Sequence, residues 1–127
     1  MGSAEHPYDD SNVFARILRG ELPCDKVFED KHTLAFRDIQ PQTRVHILVI
    51  PKGRYVSMAD FSARATGPEI ESLIRTIGRV AREAGVEADG YRFLSNHGEH
   101  AFQEVPHFHV HVFGGEPLGR MIKPPRG

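Results

Sequence analysis

The stretch Pro106-His107-Phe108-His109-Val110-His111-Val112-Phe113-Gly114-Gly115 decides the fold and poses the chemical question. Imidazole and apolar side chains alternate from His107 to Val112. Successive side chains of a β-strand point to opposite faces. The alternation therefore predicts a strand with His107, His109 and His111 on one face, roughly 6–7 Å apart. Phe108, Val110 and Val112 fall on the other face, which belongs to a core. The imidazole face needs a chemical reason, in a chain that holds eight histidines.

Upstream, Tyr91-Arg92-Phe93-Leu94-Ser95-Asn96 reads as a second strand, followed by a polar loop from His97 to Val105. A link of roughly ten residues is too short for a helical crossover, so these two strands are expected to pair antiparallel. Arg44 to Ile50 is apolar on both faces towards its end, the pattern of a central strand. Lys26–Asp30 and Thr33–Asp38 read as a hairpin. Thr66 and Glu69 form a capping box with Pro68 in the first turn. From there one apolar stripe runs through Ile70, Leu73, Ile74, Ile77, Val80, Ala81 and Ala84 to a stop at Gly85. A short helix over Val13–Gly20, capped by Ser11 or Asn12, presents Phe14, Ile17 and Leu18 on one side. Ser57–Phe61 reads as a helical turn. The sum is an α+β fold: an about five-stranded, mostly antiparallel sheet with one long and one short helix.

Length and composition bound the function classes. At 127 residues the chain fits one domain, expected over 13–127, behind a flexible, polar and acidic arm at 1–12. A net charge of −1 gives no electrostatic case for nucleic acid or an anionic membrane as partner. Cys24 is the single cysteine, which excludes an internal disulfide and fits the reducing cytoplasm. No run approaches the ~18 apolar residues of a membrane-spanning helix. The charged, proline-rich Lys123-Pro124-Pro125-Arg126 reads as a disordered tail.

Three readings compete for the imidazole face. A merely solvated polar face accounts for one histidine better than for three at alternate positions. A metal centre suits imidazole ligands, but the outer two histidines of a straight strand stand roughly 13 Å apart. No Asp or Glu joins them within the motif, although His46, His97 or His100 could. Nucleophilic catalysis is the third. Neutral imidazole attacks phosphorus, and neighbouring imidazoles hold and deliver protons near neutrality.

His107-Phe108-His109-Val110-His111-Val112-Phe113 resembles the signature of the histidine triad family, His-φ-His-φ-His-φ-φ with φ apolar. Supporting stretches are Val13-Phe14-Ala15-Arg16-Ile17, Leu34-Ala35-Phe36-Arg37-Asp38-Ile39, His46 to Lys52, Asn96 and Gln103-Glu104-Val105. The similarity is closest to the nucleotide-binding branch, the purine-nucleoside phosphoramidases, and the tail from Gly114 to Met121 looks like that of bacterial members.

The resemblance implies the HIT-like fold, a homodimer and hydrolysis of a P–N bond in purine nucleoside 5′-phosphoramidates. It implies AMP or GMP and their derivatives as ligands, with no cofactor. His109 matches the nucleophile, His111 a phosphate contact near the leaving group, and His107 and His46 the histidines that orient and polarise the nucleophile. Asp38, beside Ile39, matches the ribose-binding carboxylate. Val13, Phe14, Ile17, Leu22 and Phe36 match the purine slot, and Asn96, with Gln103, Glu104 and Val105, the phosphate side.

Three departures stand out. Glu104 replaces the serine of animal members, and Phe102 stands where the family usually has glycine. The cysteine pair that binds zinc in some members is missing from Val13-Phe14-Ala15-Arg16, so no structural metal is expected. The rival functions are a dinucleoside polyphosphate hydrolase and a nucleotide-binding scaffold with incidental catalysis.

Overall fold

Strand β3 (Val45–Pro51) lies at the middle of the sheet because both of its faces are apolar. Ile47 and Val49 point into one core, Leu48 and Ile50 into another. The structure is a computed structural model and describes residues 7–121. The Lys123–Arg126 tail and the first half of the expected arm lie outside those residues.

Around β3 the chain builds a five-stranded sheet from β1 (Asp25–Glu29), β2 (Thr33–Arg37), β4 (Arg92–Leu94) and β5 (Val110–Gly114). The order is β1-β2-β3-β5-β4, with every neighbouring pair antiparallel. One face carries Ala35, Ile47, Val49, Val110 and Val112, covered by Leu73, Ile77 and Val80 of the long helix. The opposite face carries Leu34, Phe36, Leu48 and Ile50, with Phe14 against them. By the same alternation, His46 shares the face of Leu48 and Ile50.

Three α-helices are present among the described residues, α1 (Val13–Leu18), α2 (Met58–Arg64) and α3 (Gly67–Glu83), with one 3-10 turn at Glu99–Ala101. Asn12 caps α1 by accepting the Ala15 N–H, and Thr66 with Glu69 forms the expected capping box of α3. The α2 element is a full helix rather than the single turn read over Ser57–Phe61. The buried Asp60 carboxylate accepts the Val56 and Ser57 N–H groups, each at 2.8 Å, which satisfies orphan donors at its start. The fold thus has two short helices beside the long one, not one.

The triad strand is also shorter than its alternation predicts. β5 begins at Val110, so His107 and His109 precede the ladder and only His111 lies within it. The backbone ahead of Val110 is bonded elsewhere. The Phe108 N–H donates to the Tyr55 carbonyl at 2.8 Å, and the His109 carbonyl accepts the Ser95 hydroxyl at 2.6 Å. The face assignment survives: Phe108, Val110 and Val112 are all buried in the core beneath α3.

The Gly114-Gly115 pair closes β5 for two separate reasons. A Cβ on Gly114 would stand 2.9 Å from the buried Val86 side chain, closer than such atoms approach. Gly115 has φ +85°, a conformation that glycine adopts without steric cost.

Candidate active site

Each triad imidazole is fixed by a different partner. The His109 Nδ1–H donates to the carbonyl of His107 at 2.6 Å, which leaves Nε2 with a free lone pair. The His107 ring is turned away from it. Its Nε2–H donates to the Pro51 carbonyl at 2.8 Å, and its Nδ1 accepts the Tyr8 hydroxyl at 2.5 Å. Carbonyls only accept, so both tautomers follow from the partners.

His46 and His111 form the second half of the site. The backbone N–H of Gln42 donates to His46 Nδ1 at 3.2 Å, so the proton of His46 sits on Nε2. That N–H donates to His111 Nδ1 at 2.9 Å. His111 then carries its own proton on Nε2. A lone pair on His109 and a donor on His111 therefore stand on rings 5.1 Å apart.

Burial keeps these rings neutral. It lowers His109 and His46 below the ordinary imidazole value. It brings His107 and His111 down to about 4, and for His111 the neighbouring His109 and His46 work in the same direction. The negative charges of Asp38 and Glu104 oppose the lowering of His109. A neutral nucleophile at pH 7 is what attack on phosphorus requires.

The resemblance places both His107 and His46 around the nucleophile's imidazole. In the structure the contact from His107 is its backbone carbonyl, and the ring of His46 bonds His111 instead. The residues read as the purine slot divide. Phe14 and Phe36 are buried in one cluster with Ile17 and Val105 against it, and the Phe14 ring meets His109 edge-on at 4.9 Å. Leu22 is half-buried, while Val13 is exposed on α1. Ile39 is 88% exposed, so it offers an apolar surface that only a ligand or another chain would cover.

On the phosphate side, Asn96 is half-buried in the loop after β4. The Gln103 amide is spent on the loop itself. It donates to the Val56 and Val105 carbonyls at 2.7 and 3.2 Å and accepts the Gly98 N–H at 3.0 Å. Glu104 is exposed. Phe102 is 83% exposed and has φ 53°, the left-handed region, which explains why glycine suits this position.

Asp38 ends β2. One oxygen of its carboxylate accepts the Gln40 N–H at 2.9 Å, and the other stands 3.5 Å from His46 Nε2. Asp38, His46 and His111 bring ligand-type atoms within 4.8 Å of one another. The His46–His111 hydrogen bond accounts for that closeness without an ion. Reading the sequence alone missed Tyr8 and Ser95. Ser95 lies next to the predicted Asn96, but only strand pairing reveals which of the two reaches His109.

A model of the HIT domain matches residues 19–118. The chain belongs to the HIT domain family. It is 66% identical over 115 residues to an uncharacterized 13.2 kDa HIT-like protein of Azospirillum brasilense, covering 91% of this chain and 94% of that one. The purine nucleoside phosphoramidase of Escherichia coli strain K12 is 39% identical over 113 residues, covering 89% of this chain and 94% of the relative. A HIT family hydrolase from Clostridium thermocellum superposes with a TM-score of 0.83 at 31% identity, over 91% of this chain and 99% of that structure. The HIT fold therefore accounts for the sheet and for the position of the histidine cluster on it.

Proposed function

We propose that this HIT protein is a nucleotide-binding hydrolase that cleaves the P–N bond of purine nucleoside 5′-phosphoramidates through a nucleotidyl-His109 intermediate. The observation that carries this reading is the free Nε2 lone pair of a neutral His109, held by its Nδ1–H bond to the His107 carbonyl. The name of the Escherichia coli relative, a purine nucleoside phosphoramidase, supports the substrate class.

His109 Nε2 attacks the α-phosphorus, a P–N bond forms to the enzyme, and the substrate's P–N electron pair leaves with the amine, which takes up a proton. Water then attacks the phosphorus, the bond to Nε2 breaks, and nucleoside monophosphate departs with His109 neutral again. The Nε2–H of His111 donates to a phosphate oxygen, held in that tautomer by His46. Donors already aimed at developing charge need no reorganisation in the transition state. Asp38 takes the ribose hydroxyls, and Phe14, Phe36, Ile17, Leu22, Val13 and Ile39 border the purine. Asn96 contacts the phosphate, with Glu104 beside it. Gln103 and Val105 shape the loop that faces it.

Incubation with an adenosine 5′-phosphoramidate, acid quench and intact-mass measurement are expected to show an added adenylyl group on His109. Binding of AMP with no adduct and no turnover would make the protein a scaffold. Faster turnover of diadenosine polyphosphates than of the phosphoramidate would make it a dinucleoside polyphosphate hydrolase.

The working form is a homodimer in the cytoplasm. No helix among the described residues is long and apolar enough to cross a membrane. Ile70 and Ile74 of α3, Met58 of α2 and Phe93 of β4 are exposed large apolar side chains along one surface groove. A second copy is the occupant that shared burial favours. The strand at that surface is the edge strand β4. Light scattering at micromolar concentration is expected to give the dimer mass, and a monomer mass would remove this element of the reading.

A further inference from the structure

The carbonyl that holds the nucleophile is not itself held by the sheet. The last pair between β3 and β5 is Val49 with Val110, so residues 107–109 lie beyond the ladder. Three bonds fix His107 and its neighbour in that gap. The Phe108 N–H reaches the Tyr55 carbonyl, the His107 Nε2–H reaches the Pro51 carbonyl, and the Tyr8 hydroxyl reaches His107 Nδ1. The first two come from β3 and the chain just after it. The third comes from the N-terminal segment, remote in sequence and outside every strand and helix.

That segment is built into the fold at several points. The Tyr8 ring meets the His107 ring edge-on at 5.5 Å, and the Arg54 guanidinium lies over the Tyr8 ring, 5.0 Å from its centroid. Arg54 also grips both carboxylate oxygens of Asp10, at 3.0 and 2.8 Å, and Arg19 donates to the Asp10 carbonyl at 2.8 Å. Asn12, which caps α1, is buried. His107 is fully buried. Its Nδ1 has no water to fall back on, and a buried acceptor left without a donor costs about 1–3 kcal/mol.

We propose that Tyr8 is a positioning residue for the reaction: its hydroxyl anchors His107, and the His107 carbonyl so fixed aims the Nδ1–H, and hence the Nε2 lone pair, of His109. This rests on the reading of His109 as nucleophile. Burial raises the Tyr8 phenol above its ordinary value, so it stays a donor at working pH. Donation into Nδ1 also polarises the ring and strengthens its other bond, to Pro51, in the manner of linked hydrogen bonds.

The test is Tyr8→Phe, which keeps the ring that contacts His107 and Arg54 and deletes only the hydroxyl. Misaiming a reacting atom costs turnover rather than affinity, so kcat is expected to fall about fivefold or more with KM within about twofold. The imidazole Nδ1–H proton of His109, followed by NMR without substrate, is expected to exchange with water faster than in the wild type. Both changes together support the proposal. An unchanged kcat overturns it, whatever the proton does, and so does an unchanged proton beside a slower kcat. If the wild type itself does not cleave the phosphoramidate, the functional reading falls, and proton exchange alone decides whether Tyr8 orders His109.

Discussion

His109→Ala is expected to abolish phosphoramidate hydrolysis, with a loss of about four orders of magnitude or more in kcat. The size follows from the division of roles within the site. His109 alone offers a free lone pair. Of the other three rings, His107 has both nitrogens engaged by Tyr8 and Pro51, His46 by Gln42 and His111, and His111 presents a proton outward. No neighbour can take over the attack, so the covalent route closes and only attack by water remains. AMP affinity is expected to change by less than about tenfold, because binding is supplied by groups other than the nucleophile. Steady-state kinetics and calorimetry on the same preparation check both halves. A variant with kcat within tenfold of wild type would sink the mechanism. Loss of AMP binding together with turnover would point to collapse of the site. The second outcome has a physical basis, since His109 is buried and its ring meets Phe14 at 4.9 Å.

The sequence disclosed the sheet well because its signals were local. Alternation marked the core side of β5, two-faced hydrophobicity marked β3, and the Thr66–Glu69 box marked the start of α3. It disclosed the site less evenly. That the His109 and His111 rings lie side by side was readable, since they stand two residues apart on an extended chain. Where each proton sits was not, because the tautomers depend on Gln42, Pro51 and Tyr8, groups brought in from other elements. The same holds for the end of the triad strand. Alternation continues through His107, but Phe108 gives its N–H to Tyr55, and a side-chain pattern says nothing about where a backbone donor goes. Gln103 shows another limit. Its type and spacing fit a ligand contact, yet its amide is consumed in bonds to Val56, Val105 and Gly98. Phe102 was readable only as a departure, and its φ of 53° supplies the cause.

Acidification is expected to weaken the fold steeply between about pH 6.5 and 4, well before most carboxylates are protonated. Burial brings His107 from the ordinary 6.5 down to about 4. Above pH 6.5 neither the folded nor the unfolded chain holds a proton there, and the group contributes no pH dependence. Between 6.5 and 4 the unfolded chain binds the proton and the folded chain does not. Unfolding is therefore favoured progressively as pH falls, and the effect levels off below 4. A separation of about 2.5 pH units, at about 1.4 kcal/mol each, amounts to about 3 kcal/mol for His107 alone. His111, also near 4, adds a smaller contribution of the same sign because it is less buried. Domains of this size have only about 5–15 kcal/mol in all. Urea midpoints at pH 7.5 and 4.5 measure the loss, and equal midpoints would refute it. His107→Gln is expected to be less stable at pH 7.5 but to lose less on acidification, since the titrating group is gone. A proton on His107 Nδ1 reverses its bond with Tyr8 and does not remove it, because the phenolic oxygen then accepts.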